Sequence, residues 1–139
     1  VLLALSQARS SLENVQHVPN FSPKIAEAQV YINDHYTEHL TLSQVASHLN
    51  LNESYFRHLF KDEMQISFKS YVTLLRLAHA QKLLIASQRS INEIIQEVGY
   101  SNITQFYKIF ELNYNLTPAE YRRRYRDSRL CKPAFRRLL

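Results

Sequence analysis

The sequence of 139 residues is poor in the residues that build several familiar protein classes. It has one cysteine, Cys131, so no disulfide can form within the chain, and nothing points to a secreted, cross-linked scaffold. No apolar run approaches the roughly 18 residues that a membrane span requires, and the first residues lack the layout of a signal peptide. The partners we expect therefore do not include a membrane, and the location we expect is cytoplasmic. There is a single glycine, Gly99, where average composition would supply about ten. A lone glycine excludes a glycine-rich loop that cradles phosphates. The six histidines, at positions 17, 35, 39, 48, 58 and 79, show no zinc-ligand spacing with Cys131. His35 and His39 are four apart but straddle an expected helix end, and the carboxylates are scattered over polar faces. The residues thus argue against an enzyme, and no metal, cofactor or catalytic group is expected.

What is present is helix. The apolar content of 45% is enough for a core, and every segment has the helical period, with none alternating as a strand would. The fold class is all-α, with about seven helices. The spacing predicts helices over Ser22–Tyr36, Thr41–Asn50, Asn52–Glu63, Ser67–Ser87, Ser90–Val98, Asn102–Tyr114 and Thr117–Arg126. Ser22 is expected to cap the first, with Pro23 at its first position, and Ile25, Ala28, Ile32 and Tyr36 recur on one face with Val30 beside them. A further helix at Leu2–Leu12 is possible from the pattern.

The longest of these, SFKSYVTLLRLAHAQKLLIAS, organises the rest. It has two apolar faces, Phe68, Tyr71, Val72 and Leu75 on one and Leu74, Leu77, Ala78 and Leu84 on the other. An exposed helix needs only one, so this is a rod buried at both ends. From Lys69 to Ser87 it is about 28 Å long at roughly 1.5 Å per residue, close to one turn of B-DNA at about 34 Å.

The segments flanking the rod repeat each other. At an offset of 49, Thr41/Ser90, Leu42/Ile91, Val45/Ile94, Leu49/Val98 and Leu51/Tyr100 correspond. After a one-residue insertion the offset becomes 50, and Ser54/Thr104, Phe56/Phe106, Leu59/Ile109, Phe60/Phe110, Ile66/Leu116, Ser67/Thr117 and Tyr71/Tyr121 correspond. Each copy is a short helix, a tight turn and a second helix with a polar start. Gly99 sits where a left-handed backbone lets one helix end and the next leave steeply, and Asn50, the best non-glycine residue for that conformation, holds the equivalent place. Two short helices joined in this way form either a helix-turn-helix or an ordinary helical hairpin. Two copies on a rod of matching length favour the former.

With the apolar residues turned inward, the second helix of copy one presents Asn52, Glu53, Ser54, Arg57, His58 and Lys61. That of copy two presents Asn102, Ile103, Thr104, Gln105, Tyr107 and Lys108. Arg is the commonest two-pronged partner of guanine, Gln pairs with adenine, and an aliphatic group meets the thymine methyl, so Arg57 is the strongest single candidate. Ile103 is open to two readings, a thymine-methyl contact or a partly buried residue. Tyr107 is a phosphate donor or core, and His58 a phosphate donor or simply exposed. The starts of Thr41–Asn50 and Ser90–Val98 suit phosphate through free N–H groups, or plain capping by Thr41 and Ser90.

Charge is unevenly placed. Residues 121–139 hold eight basic side chains against Asp127 alone, a balance of +7, while residues 1–120 hold nine basic and eleven acidic, a balance of −2. The basic end suits nucleic acid or an acidic surface. An alternative function is therefore a helical protein-interaction module with a basic tail.

The second copy, SINEIIQEVGYSNITQFYKIFELNYNLTPAEYRR, resembles the DNA-binding domain of the AraC/XylS family of bacterial transcription regulators. The match lies at Ile91, Ile94, Val98, Gly99, Tyr100, Ser101, Phe106, Phe110, Pro118, Tyr121 and Arg122, and the likeness covers about Ile25 to Tyr125. It implies two helix-turn-helix subdomains joined by a linker helix, reading adjacent major-groove segments on one face of double-stranded DNA. It puts base contacts at Ser54, Arg57 and His58, then at Ile103, Thr104, Gln105 and Lys108. It also implies RNA polymerase as a partner and an effector or dimerisation domain upstream; an activator is expected, with a repressor left open as the alternative. The chain starts at Val1 rather than Met, and that upstream part is expected to be missing. The expected division is 1–21 linker or end of an upstream domain, 22–68 first subdomain, 69–87 linker helix, 88–127 second subdomain and 128–139 basic tail. Two departures stand out. Gln65 and Asn115 replace a glycine common after each recognition helix, and the left-handed backbone costs Gln about 1–2 kcal/mol, so the first exit is expected to differ. Ile95 replaces a small residue, so the helices there are expected to sit further apart.

Overall fold

The computed structural model describes residues 20–126. The expected helix at Leu2–Leu12, most of the 1–21 linker, the basic tail 128–139 and Cys131 lie outside the described residues. The described residues form seven α-helices and no strand, so the all-α class holds. They are α1 (Pro23–His35), α2 (Leu42–His48), α3 (Glu53–Met64), α4 (Phe68–Ala86), α5 (Ile91–Glu97), α6 (Ile103–Tyr114) and α7 (Pro118–Arg126).

The repeat is kept to the residue. Leu42–His48 and Ile91–Glu97 are related by 49 positions at both ends, and Glu53–Met64 and Ile103–Tyr114 by 50. The reason is local, because each helix is bounded by side chains within it or next to it. Thr41 and Gln44 form a reciprocal capping box at the start of α2, with Thr41 N–H donating to Gln44 Oε1 (2.9 Å) and Gln44 N–H to Thr41 Oγ1 (3.2 Å). Ser90 and Glu93 do the same for α5. Asn52 and Asn102 cap α3 and α6 through their side-chain oxygens. The turns after α2 and α5 close identically. Asn50 (φ 56°) and Gly99 (φ 104°) take the left-handed conformation. Leu51 N–H then reaches back to Ala46 O (2.9 Å) and Tyr100 N–H to Ile95 O (3.0 Å).

There are two hydrophobic cores. The first gathers Ile25, Ala28 and Ile32 from α1, Val45 and Ala46 from α2, Phe56 and Phe60 from α3, with Leu49 and Val72. The second gathers Leu77, Ala80 and Leu84 from α4, Ile94 and Ile95 from α5, Phe106 and Phe110 from α6, with Val98, Tyr100 and Tyr121. Helix α4 thus closes the first core with its N-terminal half and opens the second with its C-terminal half. The two faces read from the sequence are there, with one correction. Leu74 and Ala78 are only half-buried, and Ala80 fills the place expected of them.

An arginine ties the helix that closes each core to the end of the helix that opens it. Arg76 on α4 donates from Nε to Tyr36 O (2.7 Å) and from a terminal nitrogen to Glu38 O (2.9 Å). Arg122 on α7 donates from Nε to Leu84 O (3.0 Å) and from a terminal nitrogen to Arg89 O (2.6 Å). The planar fork of guanidinium suits two carbonyl oxygens that no longer have helical partners.

Three expectations need revision. Ser22 stands at the N-cap of α1, but its side chain makes no capping bond. Its N–H and hydroxyl instead donate to Glu63 Oε2 (3.0 and 3.1 Å), because that carboxylate at the end of α3 is brought within reach by the fold. Val30 lies outside the α1 stripe and is 63% exposed. The exit from α3 does not differ from that of α6, since Gln65 (φ 62°) and Asn115 (φ 57°) are both left-handed. Gln65 offsets part of its strain by donating its side-chain amide to Asp62 O (2.6 Å). Ile95, in place of a small residue, is fully buried in the second core.

Candidate nucleic-acid interface

The outer surfaces of α3 and α6 are set by what faces inward. In α3, Phe56 and Phe60 are fully buried one turn apart; in α6, Phe106 and Phe110 are. Ring contacts fix the roll of each helix: Phe60 meets Phe56, Phe68 and Tyr71 with centroids 5.6–6.1 Å apart. Phe110 meets Phe106, Tyr114 and Tyr121 at 4.4–5.6 Å. Of the residues between these anchors, Arg57, His58 and Lys108 are exposed, while Leu59, Tyr107 and Ile109 pack against the cores.

On α3 the outward residues are Ser54, Arg57, His58 and Lys61, all exposed. Arg57 is paired with Glu53 one turn back at 3.1 Å. This exposed pair of neighbours is worth only about 0.3–0.5 kcal/mol, so the guanidinium is readily released to another acceptor. On α6 the outward residues are Ile103, Thr104, Gln105 and Lys108, also exposed. Ile103 is 42% exposed, so it is partly covered and still open to an outside contact, and neither reading of it is removed. Tyr107 is half-buried and packs against the second core. Asn52 Oδ1 accepts from the N–H groups of Ser54 and Tyr55 (2.9 and 3.2 Å), and Asn102 Oδ1 from Gln105 N–H (3.1 Å). These two asparagines hold the helix starts and leave only their NH2 groups outward. The starts of α2 and α5 are capped by their own side chains. Capping draws the Glu93 carboxyl below its ordinary range through the Ser90 backbone hydrogen bond, and a carboxylate there opposes a phosphate.

Tyr55 was missed in the sequence. It is 56% exposed near the start of α3, in register with Gln105 across the offset of 50. The repeat itself was the signal, since the partner of a candidate reader is a candidate. Its ring is a flat apolar surface with a hydroxyl at the tip.

The two helices flank a common point. Lys69, exposed near the start of α4, borders a hollow shared with Leu42 and Arg57. It also borders a cleft of about 300 Å³ shared with His39, Arg76, Ser101 and Gln105. Arg57 of α3 and Gln105 of α6 thus sit on either side of one lysine. The arrangement has two polar helix faces of matching register, with a cationic group between them. Among the described residues no helix is long and apolar enough to cross a membrane.

Two helix-turn-helix units on a shared helix define a DNA-binding domain of the kind found in transcription regulators. A family described as a helix-turn-helix domain matches residues 45–124. The regulatory protein PocR of Salmonella typhimurium is 36% identical over 105 residues, covering 76% of this chain and 35% of that protein. The lactose operon transcription activator of Staphylococcus xylosus is 34% identical over 110 residues, covering 79% of this chain and 36% of that protein. Among solved structures, the C-terminal domain of AraT, a response regulator from Geobacillus stearothermophilus, is 32% identical with a TM-score of 0.75, covering 81% of this chain and 94% of that one. The DNA-binding domain of AdpA, solved with a target DNA, shares the fold with a TM-score of 0.73 at 23% identity, over 78% of this chain and 97% of that one. The chain belongs to the AraC/XylS family of transcription regulators and comprises its DNA-binding domain. It spans about a third of the length of the curated relatives it matches.

Proposed function

We propose that the chain reads double-stranded DNA by laying α3 and α6 in successive major-groove segments on one face of the duplex. The observation that carries this is the residue-for-residue match of the two reading helices, both flanking Lys69 at the head of α4. Ser54, Arg57 and His58 then face the bases of one segment, and Ile103, Thr104, Gln105 and Lys108 those of the other. Tyr55 joins the first set. Lys61 and Tyr107 lie further along the same helices, toward the phosphates, and Asn52 and Asn102 contribute through their NH2 groups. Residues 22–68 and 88–127 are the two reading units and 69–87 the linker helix; the sharing of α4 between both cores supports treating it apart.

The protein as a whole is, in this reading, a cytoplasmic bacterial regulator and not an enzyme. The greater length of the relatives supports an effector or dimerisation domain outside this chain, upstream. RNA polymerase is the partner through which bound DNA would become activation, and the similarity to a lactose operon transcription activator of Staphylococcus xylosus supports that direction.

The test is selection of bound duplexes from a random pool at about 0.15 M salt, where non-specific phosphate attraction is weakened. Two short motifs about 10 base pairs apart are expected. One motif alone would mean that a single lobe reads sequence. No enrichment, with binding that fades steeply in salt, would overturn the reading and leave a helical module held by its basic tail.

A further inference from the structure

The two carbonyl-clamping arginines are alike locally and differ in what else they touch. Arg122 fastens α7 to the end of α4 and to Arg89 O, all within the second lobe. Arg76 makes the same kind of fork to Tyr36 O and Glu38 O in the first lobe. Its guanidinium carbon also lies 5.3 Å from the ring centroid of Tyr100, a second-lobe residue directly after the turn glycine. The turn itself presses on the same spot. A Cβ at Gly99 would stand 3.1 Å from Arg76 Nε and 2.8 Å from Thr37 O. The α1–α2 loop of one lobe and the α5–α6 turn of the other therefore meet around one guanidinium. Its Nε and one terminal nitrogen donate to the first lobe while its carbon stands over the Tyr100 ring of the second, a combination that the forked guanidinium suits.

The rod α4 fixes how far apart the two lobes lie. Each lobe is held to its own half of the helix by core packing and by side-chain hydrogen bonds, and the packing of one core does not reach the other lobe. Directional contacts between the lobes occur where the loop meets the turn.

We propose that Arg76 is a positioning residue that sets the angle between the two recognition helices and so the spacing of the two DNA motifs the protein accepts. This rests on the reading that both helices engage one duplex. Adding or removing one base pair between motifs turns the second by about 34–36° around the DNA axis, so a rigid pair of readers rejects the change and a loosely hinged pair tolerates it.

The experiment measures affinity for the two selected motifs at the selected spacing, with one base pair added and with one removed, and for each motif alone. Wild type, R76A, R76K and R122A are compared, each with a thermal melt. Wild type is expected to lose about tenfold on either change of spacing, the scale of one lost base contact. R76A is expected to bind single motifs as wild type does while its spacing penalty shrinks to about twofold. R122A, which loses a like clamp without an inter-lobe contact, is expected to keep the full penalty, even where its melting temperature falls. R76K keeps the charge and loses the fork, and is expected to show an intermediate penalty; it serves in place of R76A should that variant not fold. A wild-type penalty retained in R76A or, failing that, in R76K overturns the inference and leaves the two-motif reading standing. A wild-type protein indifferent to spacing overturns that reading and the inference with it.

Discussion

Gly99 lies against the backbone of Thr37, so close that a Cβ would stand 2.8 Å from the Thr37 carbonyl oxygen. The chain's one glycine is therefore needed twice, for its φ of 104° and for the space it leaves. Gly99→Ala is expected to destabilise the fold by about 2–4 kcal/mol, from backbone strain plus a clash that backbone cannot relieve cheaply. Asn50→Ala, at the equivalent turn, meets only the first cost and should lose about 1–2 kcal/mol. Denaturant midpoints of the two variants check this, and equal losses would show that the close approach carries no weight.

Phe60 and Phe110 are fully buried, one in each core. Truncating either to alanine is expected to cost about 3–5 kcal/mol through lost burial and a cavity. Leu112, 76% exposed on the outside of α6, is the contrast: Leu112→Ser should stay within about 0.5 kcal/mol. Thermal melts decide, and an unchanged midpoint for a phenylalanine variant would remove that ring from the core.

His79 shares a hydrogen bond of 3.0 Å with the Tyr36 hydroxyl, linking α4 to the end of α1. Burial, then the charges of Lys82 and Arg89, lower its pKa below the ordinary 6.5. The unfolded chain accordingly takes up this proton before the folded one does. Stability from this group is present above about pH 6.5 and falls with decreasing pH until folded His79 itself protonates. Urea midpoints between pH 7.5 and 5.5 should fall less steeply in His79→Gln than in wild type. Parallel slopes would rule His79 out as a source of the pH dependence.

Arg57 projects from α3 and pairs, among the described residues, with Glu53. Arg57→Ala is expected to weaken binding to the selected duplex by about 1–3 kcal/mol and relax preference at one position. The melting temperature should barely move, because exposed pairs contribute little. Titrations against the selected duplex and a single-base variant measure both effects. Unchanged affinity would mean that Arg57 reads no base.

Much of the fold was legible because its helix ends are local. Thr41 with Gln44, Ser90 with Glu93, and the asparagine caps at 52 and 102 lie within three residues of what they bond, and the apolar spacing of Phe56/Phe60 and Phe106/Phe110 declares which side faces in. One error falls where a distant residue intervened. Ser22 looked like a cap and instead meets Glu63, 41 positions away. Tyr55 is an oversight of a different sort, since the repeat pairs it with Gln105.

The amino-acid sequence by itself determined the seven helices of the described residues, two matched motifs and most of the side chains each reading helix turns outward, because propensity, capping and periodicity act over a few residues. Only the tertiary structure decided that Arg57 and Gln105 flank Lys69, and that Arg76 holds the Tyr36 and Glu38 carbonyls while facing Tyr100. Arg76 meets those carbonyls across 38 and 40 positions of chain. Such contacts exist only once both cores have closed on α4, and no spacing along the chain encodes the angle at which they do so.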